Sequence, residues 1–410
     1  HHEYWWAADG GSGIAGCDPS SGDADPDCDI AWRSTTQLTD RSNDPVPAGV
    51  ENGNLTTLGD LSGATLVSMD TGQGHYMYRR QIVGHDVGAG RVTVDEACYR
   101  DGVAAGLGWG SKYYVEGAPQ LLDSPGEWWY DEVSGRLYLW PRTPGDPGMQ
   151  DLEISRRGIG FDLSGRSYVT IDGLGIELLN DHAVHQANGE ASRSRGNVVR
   201  NARLRYADQG VYLEQGTGEI EENITEGFVL EGSEIGYMDT MALYLNHWWE
   251  NGSDTDSFRH AGIVNTEIRD NELHHLGFRS EGESAIGSMI HYADRFRFEG
   301  NYVHDVAHNG VQFTWSVIQS SKEYGFDPGE IQTGEILIKG NVFEEACQLT
   351  TDCAGLKIWG TAPDNHVYRD VLVVGNVFRD SMGWTYVSEQ RGKWSGGEGR
   401  EVRGNGGIAV

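Results

Sequence analysis

One pattern recurs in the last third of the chain, in FRFEGNYVHD (296–305), ILIKGNVFEE (336–345) and VLVVGNVFRD (371–380). In each copy an apolar-rich run is followed by a Gly-Asn pair, and a second short run begins directly after that pair. Alternation of side chains with a period of two residues is typical of β-strands, and Gly-Asn is typical of a turn. The pattern therefore predicts two short strands joined by a turn at a fixed position.

The same unit extends towards the N-terminus, and a further strand follows most copies. Repeats of about 20–50 residues that are built from strands are typical of a solenoid. No apolar stripe with a period of about 3.6 residues runs through the units, which excludes a helical solenoid. We therefore predict an all-β protein, a right-handed parallel β-helix (solenoid) with a small antiparallel β-domain near the N-terminus. The earlier copies are YVTIDGLGIEL (168–178), VVRNARLRY (198–206), FVLEGSEIGY (228–237) and EIRDNELHH (267–275).

The Asn of the turn has a physical role in this fold. We expect its side chain to tolerate left-handed backbone geometry and to hydrogen-bond to the Asn of the next coil, so that a ladder runs along the solenoid. Because the repeat length varies, loops of different size should leave one corner and build a groove along the axis. The predicted ladder consists of Asn271, Asn301, Asn341 and Asn376, with positions 174, 201 and 233 as its earlier equivalents.

Composition excludes several classes of protein. The net charge is −31, from 31 Lys and Arg against 62 Asp and Glu, which argues against nucleic acids and anionic membranes as partners. No apolar run approaches the ~18 residues that span a bilayer. The 58 glycines among 410 residues fit a chain that turns often.

Three regions are predicted along the chain: an irregular segment with an acidic loop at 1–60, a small antiparallel β-domain at 61–150, and the parallel β-helix at 151–410. Within the second region, LLDSPGEWWYDEVSGRLYLWP (121–141) predicts a β-hairpin. Its aromatic residues alternate along the strands, so we expect one aromatic face that forms a small hydrophobic core. These residues are Trp128, Tyr130, Tyr138 and Trp140.

The cysteines indicate a secreted protein, extracellular or at the cell surface, and a run of aspartates between two of them is a candidate calcium site. Two short loops are each bracketed by cysteines, which predicts local disulfides in an oxidising compartment, reduced thiols being the alternative. Alternating aspartates in the first loop could bind Ca²⁺ through oxygen ligands or form a solvated acidic loop. The cysteine pairs are Cys17 with Cys28 and Cys347 with Cys353, and the aspartates are Asp23, Asp25, Asp27 and Asp29. From the apolar GGIAV (406–410) we expect the natural polypeptide to continue past this end.

The coils and the hairpin together resemble a known group. The run of G-N-x-F/V-x-D/E turns and the 121–141 hairpin are similar to those of secreted carbohydrate-active β-helix proteins, which include polysaccharide lyases and several β-helix glycoside hydrolase families. In many of these hydrolases a small β-domain interrupts the solenoid near its start, usually after some early coils. Residues 1–60 show no clear coil, which suggests a truncated or divergent N-terminal end. The resemblance covers about residues 61–410 and implies a polysaccharide or oligosaccharide partner.

Glycoside hydrolysis needs two carboxyl groups, about 5–5.5 Å apart for retention and about 6.5–9.5 Å apart for inversion. Stacked coils place one column of residues about 4.8 Å apart, or about 9.6 Å on alternate coils. The column just before the second strands contains Asp208, Glu283, His308 and Asp352. The resemblance favours Asp352 as the first catalytic candidate because it precedes a Gly-containing strand. Its candidate partners are Glu283 and Glu345, with His308 between Glu283 and Asp352; turn or rim carboxylates are the alternative for each.

Substrate contacts are predicted nearby. Exposed Trp side chains would stack on sugar faces, unless they pack beneath the loops that carry them. The candidates are Trp248, Trp249, Trp315 and Trp359, together with Lys357 and His304. A stack of Asp305, Glu345 and Asp380 would raise their pKa values or hold a cation, unless the side chains point into water.

We therefore predict an extracellular glycoside hydrolase that degrades a polysaccharide, with no required cofactor and Ca²⁺ as the candidate ion. A non-catalytic surface, filament-forming or glycan-binding β-helix, self-associating through its end coils, is the first alternative. A polysaccharide lyase is the second, with Lys357, Arg379, His291 or His304 as base or charge neutraliser. The low Lys and Arg content favours a neutral polysaccharide over a polyuronate.

Overall fold

The computed structural model of the chain describes residues 6–7, 33–34, 36–40, 54–69, 77–98, 107–108, 112–143, 145, 152–188, 193–215, 225–247, 263–280, 286–291, 293–314, 335–349, 353–359, 371–381 and 408–409. The chain divides into two compact units. Unit 1 comprises His1–Glu153, Ser280–Glu283 and Trp384–Arg403, and unit 2 comprises Ile154–Arg279, Ser284–Gly383 and Gly404–Val410. Among the described residues, no helix is long and apolar enough to cross a membrane.

Unit 1 contains an antiparallel sheet of six strands in the order β1-β8-β4-β5-β6-β3, built around a core that includes Leu38, Leu66 and Val92. Two 3-10 helices, Val87–Ala89 and Pro119–Leu121, connect its elements. The strands of this unit are β1 (Trp6–Ala7), β2 (Arg33–Ser34), β3 (Gln37–Thr39), β4 (Thr65–Met69), β5 (Met77–Asp86), β6 (Arg91–Val94), β7 (Leu107–Gly108), β8 (Lys112–Glu116), β9 (Trp128–Asp131) and β10 (Arg136–Leu139).

Strands β9 and β10 form the hairpin that the sequence predicts, but its aromatic side chains do not share one face. The register places Trp129 opposite Tyr138, and the two rings stack with centroids 5.2 Å apart. Side chains alternate along a strand, so Trp128 and Tyr130 lie on the other face from Tyr138. Trp128 is 65% exposed and Tyr138 is 42% exposed, so the expected small core is wrong.

Unit 2 is a coil of short parallel strands. They are β11 (Phe161–Asp162), β12 (Thr170–Asp172), β13 (Gly175–Glu177), β14 (His182–Asn188), β15 (Ser194–Arg195), β16 (Val198–Arg200), β17 (Arg203–Gln215), β18 (Thr225–Glu226), β19 (Val229–Glu231), β20 (Glu234–His247), β21 (Ile263–Val264), β22 (Glu267–Arg269), β23 (Glu272–Leu276), β24 (Ser288–His291), β25 (Ala293–Asp294), β26 (Arg297–Glu299), β27 (Tyr302–Val306), β28 (Val311–Thr314), β29 (Ile336–Lys339), β30 (Val342–Glu344), β31 (Leu356–Trp359), β32 (Val371–Val374), β33 (Val377–Arg379) and β34 (Ile408–Ala409).

Three parallel sheets run along this coil. A four-stranded sheet has the order β15-β18-β21-β25, and a seven-stranded sheet has the order β12-β16-β19-β22-β26-β29-β32. The remaining thirteen strands form the thirteen-stranded sheet. Most coils contribute two strands to this sheet, a first strand directly after the ladder position and a second strand further along the chain. In β17 and β20 the first and second strands are continuous. Parallel crossovers of this kind are right-handed. The predicted fold class, a right-handed parallel β-helix with a small antiparallel β-domain, is confirmed.

Apolar side chains stack inside the coil from one turn to the next. In the seven-stranded sheet Ile268, Phe298 and Ile338 lie in register, and all three are completely buried. In the thirteen-stranded sheet the ring of Phe343 stacks on that of Phe378 with centroids 4.9 Å apart. Burial of this continuous apolar column is what stabilises coils that could not fold singly.

The Asn ladder is confirmed at the four predicted positions. Asn271 Nδ2 donates to Asn301 Oδ1 at 3.0 Å, Asn301 Nδ2 to Asn341 Oδ1 at 3.1 Å, and Asn341 Nδ2 to Asn376 Oδ1 at 2.8 Å. Each acceptor oxygen also receives the backbone N–H of the preceding Asn, at 2.8–3.0 Å. The ladder therefore satisfies polar groups that the coil buries.

Two details of the ladder prediction are wrong. The ladder position of the earlier coil is Ala202 and not Asn201, because the backbone N–H of Ala202 donates to Ser233 Oγ at 3.0 Å. The left-handed residue is also the one before the ladder residue, as in Gly300 with φ 64° and Asn201 with φ 50°. In the Gly-Asn pair, Gly thus supplies the positive φ at little steric cost, and Asn supplies the side chain.

The Cys347–Cys353 disulfide is formed, with Cα atoms 5.6 Å apart. Cys98 is completely buried in unit 1. The predicted Cys17–Cys28 pair and the four aspartates of the predicted calcium loop lie outside the described residues.

Candidate functional site

One corner of the coil has left-handed backbone in every turn. At this corner the chain of the thirteen-stranded sheet bends, and φ lies between 49° and 59° at seven aligned non-glycine residues. Such geometry costs about 1 kcal/mol or more per residue and is concentrated at functional sites. We call these residues the corner column: Leu178, Tyr206, Tyr237, His275, Asp305, Glu345 and Asp380.

Three aspartates, which we call the acid row, follow the corner on neighbouring coils. The register pairs His182 with Gln209, so Asp181 and Asp208 are neighbours in it. Between β17 and β20 the register shifts by one residue, so that Asp239 and Thr240 lie against Asp208. Bulges of this kind redirect side chains, and they are frequent beside active sites. Thr240 Oγ1 donates to the backbone oxygen of Asp208 at 2.9 Å.

Asp208 is the perturbed member of the acid row. Burial raises the pKa of Asp208 to about 6; the Thr240 side chain, which also hydrogen-bonds to the carboxyl group, opposes this rise, and the negative charges of Asp239 and Asp181 add to it. Each neighbour has a cationic or imidazole partner: Asp181 Oδ1 lies 2.9 Å from His182 Nε2, and Asp239 Oδ1 lies 3.9 Å from Arg279 Nε. The row therefore holds a carboxyl that keeps its proton to near-neutral pH between two more exposed carboxylates.

The spacing of the acid row matches that of catalytic carboxyl pairs. Neighbouring coils are about 4.8 Å apart, so Asp208 lies at about that distance from Asp181 and from Asp239 along the coil axis. This is close to the ~5–5.5 Å between the two carboxyl groups of a retaining glycosidase. Asp181 and Asp239 are two coils apart, about 9.6 Å, at the outer limit for inversion.

The second strands present a sheltered polar face beside the acid row. Tyr212 stacks on Tyr244 with ring centroids 5.2 Å apart. Burial raises the pKa of Tyr244 to about 12, raises that of Glu214, and lowers that of His291 to about 4. These side chains alternate with the core residues of their strands, so they face outward and yet are shielded from solvent. Several perturbed titratable groups on one face indicate a functional site.

A second titratable cluster lies at the corner on later coils. Asp305 Oδ2 is 2.7 Å from His304 Nδ1, and Asp305 Oδ1 accepts from Gln348 Nε2 at 3.1 Å. The hydrogen bond from His304 holds the pKa of Asp305 well below its usual range. The hydrogen bond that Glu345 shares with Asp305 raises the pKa of Glu345. Of the predicted stack, Glu345 therefore has the expected raised pKa, whereas the pKa of Asp305 is lowered instead.

His304 joins this cluster to the neighbouring coil. Its Nε2 lies 3.1 Å from Glu272 Oε1. Burial alone would lower the pKa of His304, but the hydrogen bonds to Asp305 and Glu272 outweigh burial and raise it. Among the described residues, no group of three or more His, Cys, Asp or Glu side chains has a geometry that could hold a metal ion.

The structure describes part of the predicted site. Glu345 and His304 lie together in the corner cluster, whereas His308 is buried just before β28, where its backbone oxygen accepts from the N–H of Cys347 at 2.8 Å. Lys357 is half-buried on β31, opposite Gln312. Six predicted positions lie outside the described residues or have undescribed side chains: Asp352, Glu283, Trp248, Trp249, Trp315 and Trp359.

The sequence places Asp208 in the column just before the second strands but does not reveal Asp181 and Asp239 as its neighbours. The coils vary in length, and the one-residue bulge hides the alignment of Asp239. The sequence carries one signal for these residues: Asp208 and Asp239 each stand shortly before an apolar second strand.

Comparison with known proteins agrees with the resemblance to carbohydrate-active β-helix proteins. Residues 104–142 match the family model of the GH141 insertion domain. A solved structure described as a glycoside hydrolase is similar over 95% of this chain and 76% of its own, with 12% identity and a TM-score of 0.56. At that identity the similarity shows a shared fold. No curated protein matches the sequence.

Two further solved structures are more distant. One is an alginate lyase from Paenibacillus sp. str. FPU-7, with 12% identity over 54% of this chain and 90% of that chain, at a TM-score of 0.24. The other is the Gp54 tailspike of Acinetobacter baumannii bacteriophage AP22 in complex with A. baumannii capsular saccharide, with 8% identity over 85% of this chain and 56% of that chain, at a TM-score of 0.26. TM-scores this low support no inference about function.

Proposed function

We propose that this chain is a glycoside hydrolase that cleaves a polysaccharide at the acid row, with Asp208 as the general acid. The observation that carries the proposal is a carboxyl that stays protonated to about pH 6 between two carboxylates on adjacent coils. Environments that push the pKa values of neighbouring carboxyls apart are how glycosidases separate the acid from the nucleophile.

The proposed reaction retains the anomeric configuration. Asp208 gives its proton to the glycosidic oxygen while the carboxylate of Asp239 or Asp181 attacks the anomeric carbon, so that the bond to the leaving sugar breaks and a glycosyl ester forms. Asp208, now ionised, then takes a proton from water, whose oxygen attacks the same carbon and releases the carboxylate. Asp352 and Glu283, predicted in the same column on later coils, remain alternative carboxyls for this reaction.

The charges of the coil favour an uncharged glycan as substrate. Arg203 Nε donates to Glu177 Oε1 at 2.5 Å, and Arg379 Nη2 donates to Glu344 Oε2 at 2.7 Å. These cations are neutralised by partners of their own, and the net charge of −31 repels polyanions. We also propose a secreted location, which the Cys347–Cys353 disulfide supports, and a bound Ca²⁺.

The test is hydrolysis of a broad panel of neutral polysaccharides by Asp208→Asn and wild type. General acid catalysis contributes about 10²–10⁴-fold, so we expect a loss of kcat of that size for Asp208→Asn. Asp172→Asn, on the seven-stranded sheet, is the matched control and should keep wild-type activity. Full activity of Asp208→Asn on a cleaved glycan would refute the assignment. Unsaturated products would select the lyase, and no cleavage of any glycan would select a binding or structural protein.

A further inference from the structure

A buried hydrogen-bonded chain leads from a carboxylate to the corner column. His274 Nε2 lies 3.0 Å from Glu234 Oε1, and His274 Nδ1 lies 2.8 Å from His275 Nδ1. The carboxylate of Glu234 is held from a second side, because Arg205 Nε donates to the same oxygen at 2.7 Å. His274 is 6% exposed, so its two ring nitrogens are committed to these partners.

The backbone is shaped to admit the His274 ring. Gly236 lies beside His274 in the register, and a Cβ on Gly236 would come within 2.4 Å of His274 Nε2 and 2.5 Å of Cε1. No Cβ can approach a ring that closely, so any other residue at position 236 would displace the imidazole from Glu234. Gly236 does not have a positive φ, and close approach is therefore the reason for glycine at this position.

The hydrogen bonds fix which nitrogens carry protons. Hydrogen bonds from His274 and Arg205 outweigh the effect of burial and lower the pKa of Glu234, so its carboxylate accepts. His274 then donates from Nε2, and in its neutral form accepts at Nδ1. His275 must consequently donate from its own Nδ1, which leaves the lone pair of His275 on Nε2.

The surroundings keep His275 neutral and accessible. Burial lowers the pKa of His275, and the nearby imidazoles of His274 and His304 act in the same direction, whereas Asp305 opposes them. The ring packs against Tyr237 with centroids 4.6 Å apart, and 34% of its side chain is exposed. Among the described residues, none hydrogen-bonds to its Nε2. An oriented neutral imidazole behind a carboxylate is the arrangement that activates catalytic bases.

We propose that Glu234, His274 and His275 form a proton relay, the histidine relay, that presents His275 Nε2 as a base towards water or a sugar hydroxyl on the thirteen-stranded face. His275 takes the proton of the bound hydroxyl at Nε2, while Glu234 stabilises the charge that results. Glu345 lies two coils further along the corner column, about 9.6 Å away, and its pKa is raised by its hydrogen bond with Asp305. The relay does not depend on the acid row.

The test reads the nucleophilicity of His275 directly and needs no substrate. Diethylpyrocarbonate is attacked by an unprotonated imidazole nitrogen: the nitrogen–carbon bond forms, the carbon–oxygen bond of the anhydride breaks, and ethyl carbonate leaves and yields ethanol and CO₂. Peptide mass spectrometry after brief exposure at pH 6.5 then ranks the histidines by rate. We expect His275 to react faster than His185, a half-buried histidine that pairs with Asp162.

Two substitutions should slow that reaction without touching His275. Glu234→Gln removes the carboxylate, and Gly236→Ala displaces the His274 ring; we expect each to lower the rate at His275 about tenfold, the size of effect that loss of one hydrogen bond has. Gly175→Ala is the matched control, since its Cβ would meet only Arg203 Nη2, at 3.7 Å. It should leave the rate unchanged.

The possible results of these modification experiments either support the histidine relay or overturn it. An unreactive His275 in the wild type means the opposite tautomer, with the proton on Nε2, and overturns the relay. An unchanged rate in a folded Gly236→Ala also overturns it, and this variant decides the matter if Glu234→Gln fails to fold. Because the readout is chemical modification, its failure leaves the glycosidase proposal standing, and loss of activity in Asp208→Asn leaves the relay standing.

Discussion

Substitution of one ladder residue should destabilise the coil by several kcal/mol. Asn341 is completely buried, and its side chain takes part in four hydrogen bonds. Its Oδ1 accepts from the N–H and the Nδ2 of Asn301 at 2.8 and 3.1 Å, and its Nδ2 donates to the backbone oxygen of Phe298 and to Asn376 Oδ1, both at 2.8 Å. At about 1 kcal/mol for each bond, Asn341→Ala should lower the free energy of unfolding by about 4 kcal/mol.

The assay is urea unfolding followed by both far-ultraviolet circular dichroism and Trp fluorescence, because a solenoid can unfold in parts. Asn201→Ala is the control, since Asn201 is exposed and its side chain makes one hydrogen bond among the described residues, to Asp172 Oδ1 at 2.9 Å. Its cost should stay at about 2 kcal/mol, from one lost hydrogen bond and from the left-handed backbone that Ala tolerates less well than Asn. If Asn341→Ala lowered the free energy of unfolding no more than Asn201→Ala does, the hydrogen bonds of the ladder would not stabilise the coil, and the reasoning would be refuted.

Three further outcomes are expected. Asp208 binds its proton more tightly in the folded chain, because its pKa is about 6 there against an ordinary 3.8. Its contribution to stability is therefore full below pH 3.8 and is lost as the pH rises through 6. We expect Asp208→Asn to unfold at a higher urea concentration than wild type at pH 8 and at a similar concentration at pH 4. Phe343→Ala, which empties the stack between Phe298 and Phe378, should cost about 3–5 kcal/mol in the same assay, and a cost under about 1 kcal/mol would contradict the packing. Reduction of the Cys347–Cys353 bond, which closes a loop with a sequence separation of 6, should lower stability by about 2 kcal/mol, as measured with and without a thiol reductant.

The coil could be predicted because its determinants are local and repeated. Each Gly-Asn pair specifies a turn by itself, and the repeat shows that the turns stack; the ladder from Asn271 to Asn376 followed from this alone. The error at Asn201 arose because the two residues of the pair have different tasks. Asn201 occupies the left-handed position that glycine occupies in other coils, so the motif was aligned one residue early.

The candidate site could be predicted only in part, because it depends on contacts between coils. The pKa of Asp208 is set by burial and by two aspartates far away in sequence, and no spacing rule announces them. The role of Gly236 is still less visible, since a glycine within an apolar strand gives no sign that an imidazole from the next coil lies over it. Chemistry that arises between neighbours in a stack is missing from any one repeat.

The one-residue register shift between β17 and β20 has a consequence for how such a site is gained or lost. Asp239 and Thr240 together oppose Asp208 because β20 carries one residue more than β17 at that point. Deleting a single residue there would remove the extra neighbour while every remaining side chain kept its chemistry. A scan of amino-acid substitutions would not produce this loss of one residue, whereas single-codon deletions would. The length of each coil is therefore a heritable determinant of the reactivity of its side chains.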